Sequence, residues 1–297
     1  MRHLWLVGVV VYVVAASLVG WRSVLEAFTS LRTGPLGSAL GVLLLAQWTR
    51  ALKWRWALGN RQDAIGLYFL SKLGGAISPM RIGELSPLLL RRHRSPRLGA
   101  WIVLDRLLEM AATLALGVVG IVALGLARHG LFPYLAVAAC VLVVLPAYAV
   151  TRRRVFVSIA SRSRRGTRVR RMSLFVAGMS GEMLAMRSRA PFAAMVTVFA
   201  TCLDLYAGIL LCTSFGFPIP FALAATAQCA HGLTTMVPFT PNATLVPYLA
   251  AATLLNRIGG IPTQVLAALA PVAVAANSAV FWPSFGLGVY TLRKVGS

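Results

Sequence analysis

Acidic residues are scarce in this sequence. Of its 297 residues only 7 are Asp or Glu, against 29 that are Lys or Arg, and the formal net charge is +22. Charge of either sign is rare, because 12% of the residues are charged and 58% are hydrophobic, with a mean hydropathy of +0.78. These values exclude an ordinary soluble domain. The arginines occur in short runs between apolar segments, which indicates contact with anionic lipid and no nucleic-acid partner.

The sequence also lacks the common catalytic motifs. It contains no HExxH, GxSxG or Walker A segment, and its four histidines are scattered along the chain. We therefore expect no enzyme activity, no cofactor and no metal site. The cysteines lie inside apolar stretches without CxxC spacing, which is typical of small buried side chains rather than disulfides. They are Cys140, Cys202, Cys212 and Cys229.

Helix breakers and charge interrupt one apolar segment. The run over residues 64–78 stops at Pro79, and a short apolar run resumes only after Arg81 and Glu84. Neither half is long enough to span a bilayer. Broken helices at membrane depth persist where other protein or a water-filled cavity satisfies their polar groups. We predict a re-entrant hairpin and basic loop over residues 64–97 that line a polar cavity, with a tilted, kinked spanning helix as the alternative.

A second apolar segment is interrupted near the end of the chain. It covers residues 220–258, contains His231, and is broken by the sequence PFTPN, which includes Pro238, Pro241 and Asn242. Proline removes a backbone donor and stops a helix, so the segment divides into two short halves. We predict a second re-entrant hairpin here, with two short spans as the alternative.

Six further segments are apolar enough to cross a bilayer, which predicts an all-α, polytopic membrane protein with six full spans and two broken hairpins. The first segment, residues 4–20, has 17 residues and is near the lower limit for a span. A cleaved signal peptide is the alternative there, and we favour a retained helix. The other predicted crossings begin at residue 35 or cover residues 98–126, 131–150, 191–215 and 262–289.

Basic clusters indicate the orientation of these crossings. The predicted loop over residues 151–172 holds nine arginines and no acid, and further basic clusters surround Lys53 and Arg91. Trp54 beside Lys53 is typical of the headgroup layer. Because cytoplasmic loops are rich in Lys and Arg, we predict cytoplasmic termini and one transmembrane domain, residues 1–297, in a bacterial or archaeal cytoplasmic (inner) membrane. One hairpin then enters from each side, as in transporters built from inverted repeats.

Four of the seven acids lie in or beside apolar segments, namely Glu84, Asp105, Glu109 and Asp204. A charge at the bilayer centre costs roughly 2.5–3.5 kcal/mol on insertion scales, so such groups are normally paired or face water. Asp105 and Glu109 are four residues apart, which places them on one helix face. We therefore predict that Asp105, Glu109 and Asp204 are carboxylates of a shared cavity.

Nearby basic residues supply the complementary charge. We predict that Lys72, Arg81 and Arg106 receive an anionic headgroup, because arginine can bind a phosphate through two parallel hydrogen bonds. Glu84 and the neighbouring carboxylates would hold these cations in place. The alternative is a buried ion-pair network that only fixes how the helices pack.

The segments SPMRIGELSPLLLRR and VLDRLLE resemble the lysylphosphatidylglycerol synthase transmembrane, or flippase-like, family. In that family a proline, a Gly-Glu pair and a downstream Asp-Arg pair recur at similar positions, which Arg81, Glu84, Asp105 and Arg106 match here. By general layout the resemblance extends over essentially the whole chain. It implies an integral membrane protein of the lipid-flippase type and leaves a homodimer open.

Two features depart from the family pattern. The second broken segment, MVPFTPNATLVPY, lacks the acid that family members often have there. The chain also stops at Ser297 without the soluble aminoacyl-transferase domain of the two-part synthases. We therefore expect that this polypeptide does not make a lysyl-lipid by itself.

Together these features predict a flippase-like transporter that moves an anionic-headgroup lipid between leaflets through a central charged cavity. The lipid would be a phospholipid, a glycolipid or a polyprenyl-phosphate-linked lipid. The alternatives are a membrane-embedded transferase acting on a polyprenyl-phosphate lipid and a non-catalytic subunit of an envelope-lipid synthesis complex. The residues predicted to contact substrate are Lys72, Arg81, Glu84 and Arg106, with His231, Pro238, Pro241 and Asn242 from the second hairpin.

Overall fold

The computed structural model describes residues 13–14, 17, 19–78, 81–90, 93–126, 153–163, 167–234 and 246–294. Every regular element within these ranges is helical, so the all-α prediction is confirmed for this part of the chain. Besides a 3-10 helix at Ile82–Leu89, the elements are α1 (Trp21–Thr29), α2 (Thr33–Ala57), α3 (Ala64–Ile77), α4 (Pro96–Ala123), α5 (Arg153–Arg162), α6 (Arg168–Ala185), α7 (Ala190–Ser214), α8 (Phe221–Thr234), α9 (Val246–Arg257) and α10 (Thr263–Lys294).

Three of these helices are long and apolar enough to cross a membrane, which makes this a multi-pass membrane protein. They are α4, α7 and the Thr263–Leu292 part of α10, each with a mean hydropathy of 1.8 or 1.9. Helix α2 has 25 residues but carries three basic residues near its C-terminal end. Of the six predicted crossings, the one over residues 131–150 and most of the one over residues 4–20 lie outside the described residues.

Helices α2 and α7 pack together in antiparallel directions. At one end of the pair, Arg32 N donates to Ser214 O at 2.7 Å. At the other end, Arg189 Nη1 donates to Ala57 O at 3.0 Å. Small residues let helix backbones approach closely in membranes, and the two helices bury several of them. Those buried in shared apolar clusters are Ala39 with Ala207, and Ala51 with Ala193.

The first interrupted segment folds back on itself. Helix α3 packs against the 3-10 helix, and Gly74 lies so close to Gly83 that a Cβ on either would overlap the other residue's backbone. Ser71 Oγ also donates to Glu84 O at 2.8 Å, which ties the two halves together. Arg81 has φ 56° and ψ 23°, the left-handed conformation, and reverses the chain just before the 3-10 helix begins.

The second interrupted segment begins with α8, which packs antiparallel to α4. Gly117 of α4 lies against Cys229, and Gly120 lies against Ala222, so residue numbers rise along one helix as they fall along the other. Helix α9 then packs back against α8. The predicted break between them, with Pro238, Pro241 and Asn242, lies outside the described residues.

The two interrupted segments start from opposite ends of the bundle. Helix α3 follows the C-terminal end of α2, and its Gly66 touches Gly288 near the end of α10. Helix α8 follows the C-terminal end of α7, which lies beside the start of α2. Each end has its own apolar cluster, one around Trp54 and Trp101 and the other around Leu223. A third apolar cluster, around Leu43 and Ala273, joins the middle parts of α2, α7 and α10.

Candidate functional site

A cavity of about 590 Å³ lies between α2, α3, α4, α7, α8, α9 and α10. Basic residues from four elements line it, together with two acidic residues. The remaining wall is largely apolar and is formed by leucine and alanine side chains from α7 to α10. The cavity therefore combines a charged region with an apolar one. Its charged lining residues are Arg50, Lys72, Arg81, Arg106, Glu109 and Asp204.

Glu109 of α4 is the centre of the charged region. Lys72 Nζ donates to both carboxylate oxygens, at 2.7 and 2.8 Å. Arg106 Nη1 lies 3.4 Å from Oε2, and Arg50 Nε lies 3.6 Å from Oε1. Three neighbouring cations favour the ionised form of a carboxyl group even where burial opposes it. Glu109 therefore links α2, α3 and α4 as a carboxylate.

Arg50 of α2 and Asp204 of α7 form a second ion pair. Nη1 donates to Oδ1 at 3.2 Å and Nη2 to Oδ2 at 2.5 Å, the parallel arrangement that a guanidinium and a carboxylate prefer. The sequence interpretation predicted Asp204 in the cavity but missed Arg50. The signal for it was that an acid in the middle of an apolar helix requires a cation partner.

Arg81 and Glu84 meet where the first segment reverses. Arg81 Nη2 lies 2.6 Å from Glu84 Oε1, and Glu84 is buried, with 6% exposure. The close packing depends on Gly75, because a Cβ there would overlap the Glu84 side chain. Local chain geometry thus brings the predicted cation and its predicted partner together, and Arg81 lines the cavity.

Asp105 is not among the residues that line this cavity, and it has partners of its own. Lys53 Nζ lies 2.5 Å from Asp105 Oδ1, and Trp54 Nε1 donates to Oδ2 at 2.7 Å. Lys53 also donates to Thr197 Oγ1 at 2.7 Å, which extends the contact to α7. Long side chains of α2 reach Asp105 on α4, whereas Glu109, one turn further on, lines the cavity.

Lys53 and Trp54, which the sequence predicts at the headgroup layer, are buried between helices. Lys53 is 2% exposed and Trp54 is 1% exposed, because α2 continues to Ala57 and presses both side chains against α4. The neighbouring Arg55, by contrast, is exposed. A buried ion pair occupies the position instead.

The second interrupted segment contributes polar groups without charge. The cavity is lined there by Gln228 and His231 of α8 and by Tyr248 of α9, with Asn277 from α10. The His231 and Tyr248 rings meet edge to face, with centroids 4.7 Å apart. Of the residues predicted from this segment, His231 lies at the cavity, and the three at the break are outside the described residues.

Tyr68 and Gln47 are further cavity residues that the sequence interpretation missed. Tyr68 OH donates to Gln47 Oε1 at 2.7 Å, and both side chains line the cavity beside Arg50. Polar residues of this kind are common in any sequence, so neither gives a signal without the helix packing that orients them. Together with the charged residues they make the centre of the bundle a site that can accept an anion.

Comparison with known proteins identifies the family. A family model described as the lysylphosphatidylglycerol synthase TM region matches residues 5–288. No curated protein and no solved structure matches the chain. The matched range covers nearly all of the sequence, including every residue of the charged cavity, and confirms the resemblance predicted from the Arg81–Glu84 and Asp105–Arg106 segments. The chain belongs to the lysylphosphatidylglycerol synthase transmembrane family.

Proposed function

We propose that this protein is a lipid transporter, not an enzyme, and moves a lipid with an anionic headgroup between the two leaflets of a membrane. The observation that carries the proposal is the cavity, which joins four basic side chains to an apolar wall inside a bundle of membrane-crossing helices. Membership of a lipid-related membrane family supports it. A bacterial or archaeal cytoplasmic membrane, with both termini in the cytoplasm, is part of the same proposal.

The size and lining of the cavity fit a headgroup. Pockets for small ligands have volumes of roughly 300–1,000 Å³, and about 590 Å³ lies within that range. The headgroup would enter the charged region, where arginine and lysine replace its hydration shell. The acyl or prenyl tails would stay in the bilayer, because they gain nothing by leaving an apolar environment.

The arrangement of the interrupted segments supports movement between two sides. They start from opposite ends of the bundle, and both line the cavity, the first through Arg81 and the second through His231 and Tyr248. Transporters with inverted repeats bind substrate where two such segments meet, and they expose the site to each side in turn. We expect the same alternation here, with one segment rocking against the other.

A translocation assay tests the proposal. The protein is reconstituted in liposomes containing tail-labelled phosphatidylglycerol or a tail-labelled polyprenyl phosphate, and a quencher added outside reports arrival in the outer leaflet. The test variant is Arg81→Asn with Glu84→Gln. Removing both charges avoids leaving Glu84 buried without a partner, and asparagine tolerates the left-handed backbone at position 81. Arg22→Gln is the matched control, because Arg22 is exposed on α1 and remote from the cavity.

Two outcomes decide the matter. Headgroup-selective movement that is lost in the double variant but retained in Arg22→Gln supports a flippase and names its lipid class. If folded wild-type protein moves neither lipid, the proposal fails. Assays for product formation on the polyprenyl phosphate, and for co-purifying proteins, then distinguish the transferase from the subunit of an envelope-lipid complex.

A further inference from the structure

The charges around the cavity do not balance. Arg50 has Asp204 as its own partner, and Arg81 has Glu84. The two remaining cations share a single carboxylate, that of Glu109. Among the described residues, four cations therefore face three carboxylates. With all of these groups ionised, the cluster carries one positive charge in excess.

The excess is concentrated at Arg106. Lys72 takes both oxygens of Glu109 at 2.7 and 2.8 Å, whereas Arg106 reaches Glu109 only through Nη1 at 3.4 Å. Arg81 lines the same cavity, and its positive charge repels that of Arg106. An anion placed beside Arg106 and Arg81 would relieve this repulsion and supply the missing negative charge.

Two donors of the arginines that line the cavity have no hydrogen-bond partner among the described residues. Arg50 Nε and Arg81 Nε are both buried, and neither has a hydrogen-bond partner among the residues that the structure describes. Both side chains line the cavity. Buried donors in proteins are almost always paired, so these two N–H groups are sites where a bound acceptor is expected.

We propose that Glu109 sets the charge of the lipid that this cavity accepts, and that the preferred lipid carries one negative charge, as a phosphodiester whose headgroup has no amine. The inference rests on the proposed function, because it takes the cavity to be a headgroup site. Glu109 is the specificity-determining residue, since its carboxylate occupies the cation cluster that a second phosphate charge would need.

Simple charge matching gives the order of preference. A phosphatidylglycerol headgroup brings one negative charge and cancels the excess. A phosphomonoester such as phosphatidic acid carries between one and two negative charges at pH 8, because it has a second ionisable oxygen that a phosphodiester lacks. The second charge meets the carboxylate of Glu109. A zwitterionic headgroup brings an ammonium group that the arginines repel.

Binding measurements at pH 8 test the proposal without requiring transport. Detergent-solubilised protein is titrated with tail-labelled phosphatidylglycerol and phosphatidic acid of identical acyl chains, and fluorescence anisotropy gives the two Kd values. The variants are Glu109→Gln, which raises the excess to two charges, and Lys72→Gln with Glu109→Gln, which returns it to one. Glu26→Gln is the control, because Glu26 is exposed on α1.

Wild type and Glu26→Gln are expected to bind phosphatidylglycerol more tightly. Glu109→Gln should shift the ratio of the two Kd values towards phosphatidic acid by about tenfold or more, equal to ~1.4 kcal/mol. The double variant should restore the wild-type preference, which a merely structural role of Glu109 would not do. If Glu109→Gln fails to fold, Lys72→Gln alone must weaken binding of both lipids.

An unchanged ratio in Glu109→Gln, or a double variant that does not revert, overturns the inference. Binding of neither lipid by wild type overturns it together with the proposed function. The expected shift in binding without any translocation in liposomes upholds the inference while refuting transport, so the two failures are distinguishable.

Discussion

The two interrupted segments differ in chemistry although they start from opposite ends in similar fashion. The first, α3 with the 3-10 helix, carries Lys72, Arg81 and Glu84. The second, residues 220–258, contains no Asp, Glu or Lys and a single arginine, Arg257 at the end of α9, and no acid follows Asp204 in the chain. The two interrupted segments therefore start in a similar way but differ in charge, which indicates different roles. The first segment contributes charged groups to the cavity, and the second contributes neutral hydrogen-bonding groups and apolar wall.

The segments also differ in what holds them. The first packs on itself, through the contact of Gly74 with Gly83 and the hydrogen bond from Ser71 to the Glu84 backbone, and it also packs against α10. The second packs against a membrane-crossing helix, because α8 contacts α4 at Gly117. A charged hairpin must satisfy its own polar groups before a ligand arrives. A neutral one only needs a surface to pack against.

The largest expected effect comes from breaking the buried ion pair between Lys53 and Asp105, which joins α2 to α4. In Asp105→Asn the ammonium of Lys53 stays buried without its counter-charge, which costs about 3–5 kcal/mol in comparable sites. We expect a loss of that size in the free energy of unfolding, measured by denaturant titration of the protein in detergent. Lys53→Met with Asp105→Leu should recover most of it, because both charges are then absent.

Glu26→Gln is the control for this prediction, since Glu26 makes only an exposed pair with Arg22 and its loss should change stability little. If Asp105→Asn is as stable as wild type, the Lys53–Asp105 ion pair does not stabilise the protein. The expected difference between the charged first segment, which depends on buried ion pairs, and the neutral second segment would then be contradicted.

The next largest effect is expected from disturbing the close packing within the first interrupted segment. Gly74→Ala introduces a Cβ that overlaps the Gly83 backbone, and overpacking of this kind typically costs about 1–3 kcal/mol. We expect that loss of stability, together with weaker anion binding, because the displaced hairpin carries Arg81. Gly286→Ala is the matched control, since the space around Gly286 in α10 is open among the described residues. That substitution should be neutral, and a neutral Gly74→Ala would contradict the close contact.

The sequence is enough to predict the all-helical class, the first break and the charged residues around it. Proline and glycine act through local backbone geometry, so Pro79 and Gly74 mark the interruption wherever the segment lies. A charged residue within an apolar run can likewise be recognised from the local sequence alone. For that reason Lys72, Arg81 and Arg106 were all predicted to contact the headgroup, and all three line the cavity.

Pairing between distant helices could not be predicted. Asp105 and Glu109 are one turn apart, yet one contacts Lys53 and the other Lys72, because the rotation and position of α2 against α4 decide which cation each meets. Arg50 was missed for the same reason, since its partner Asp204 is 154 residues away in the chain. Contacts of this separation follow from packing, which periodicity does not encode.

The smallest effect sharpens the contrast between a charged and a neutral lining. Gln228→Leu removes a neutral polar group from the second segment, and neutral hydrogen bonds contribute about 0.5–1.5 kcal/mol, against about 1.5–3 kcal/mol for bonds to charged groups. We therefore expect Gln228→Leu to weaken phosphatidylglycerol binding by less than about tenfold, and Arg106→Gln to weaken it by more. The same anisotropy titration measures both, with thermal unfolding in detergent as the check that each variant is folded. Equal losses of affinity would mean that the second segment contributes as much to headgroup binding as the first. The charge asymmetry between the segments would then have no bearing on where the anion binds.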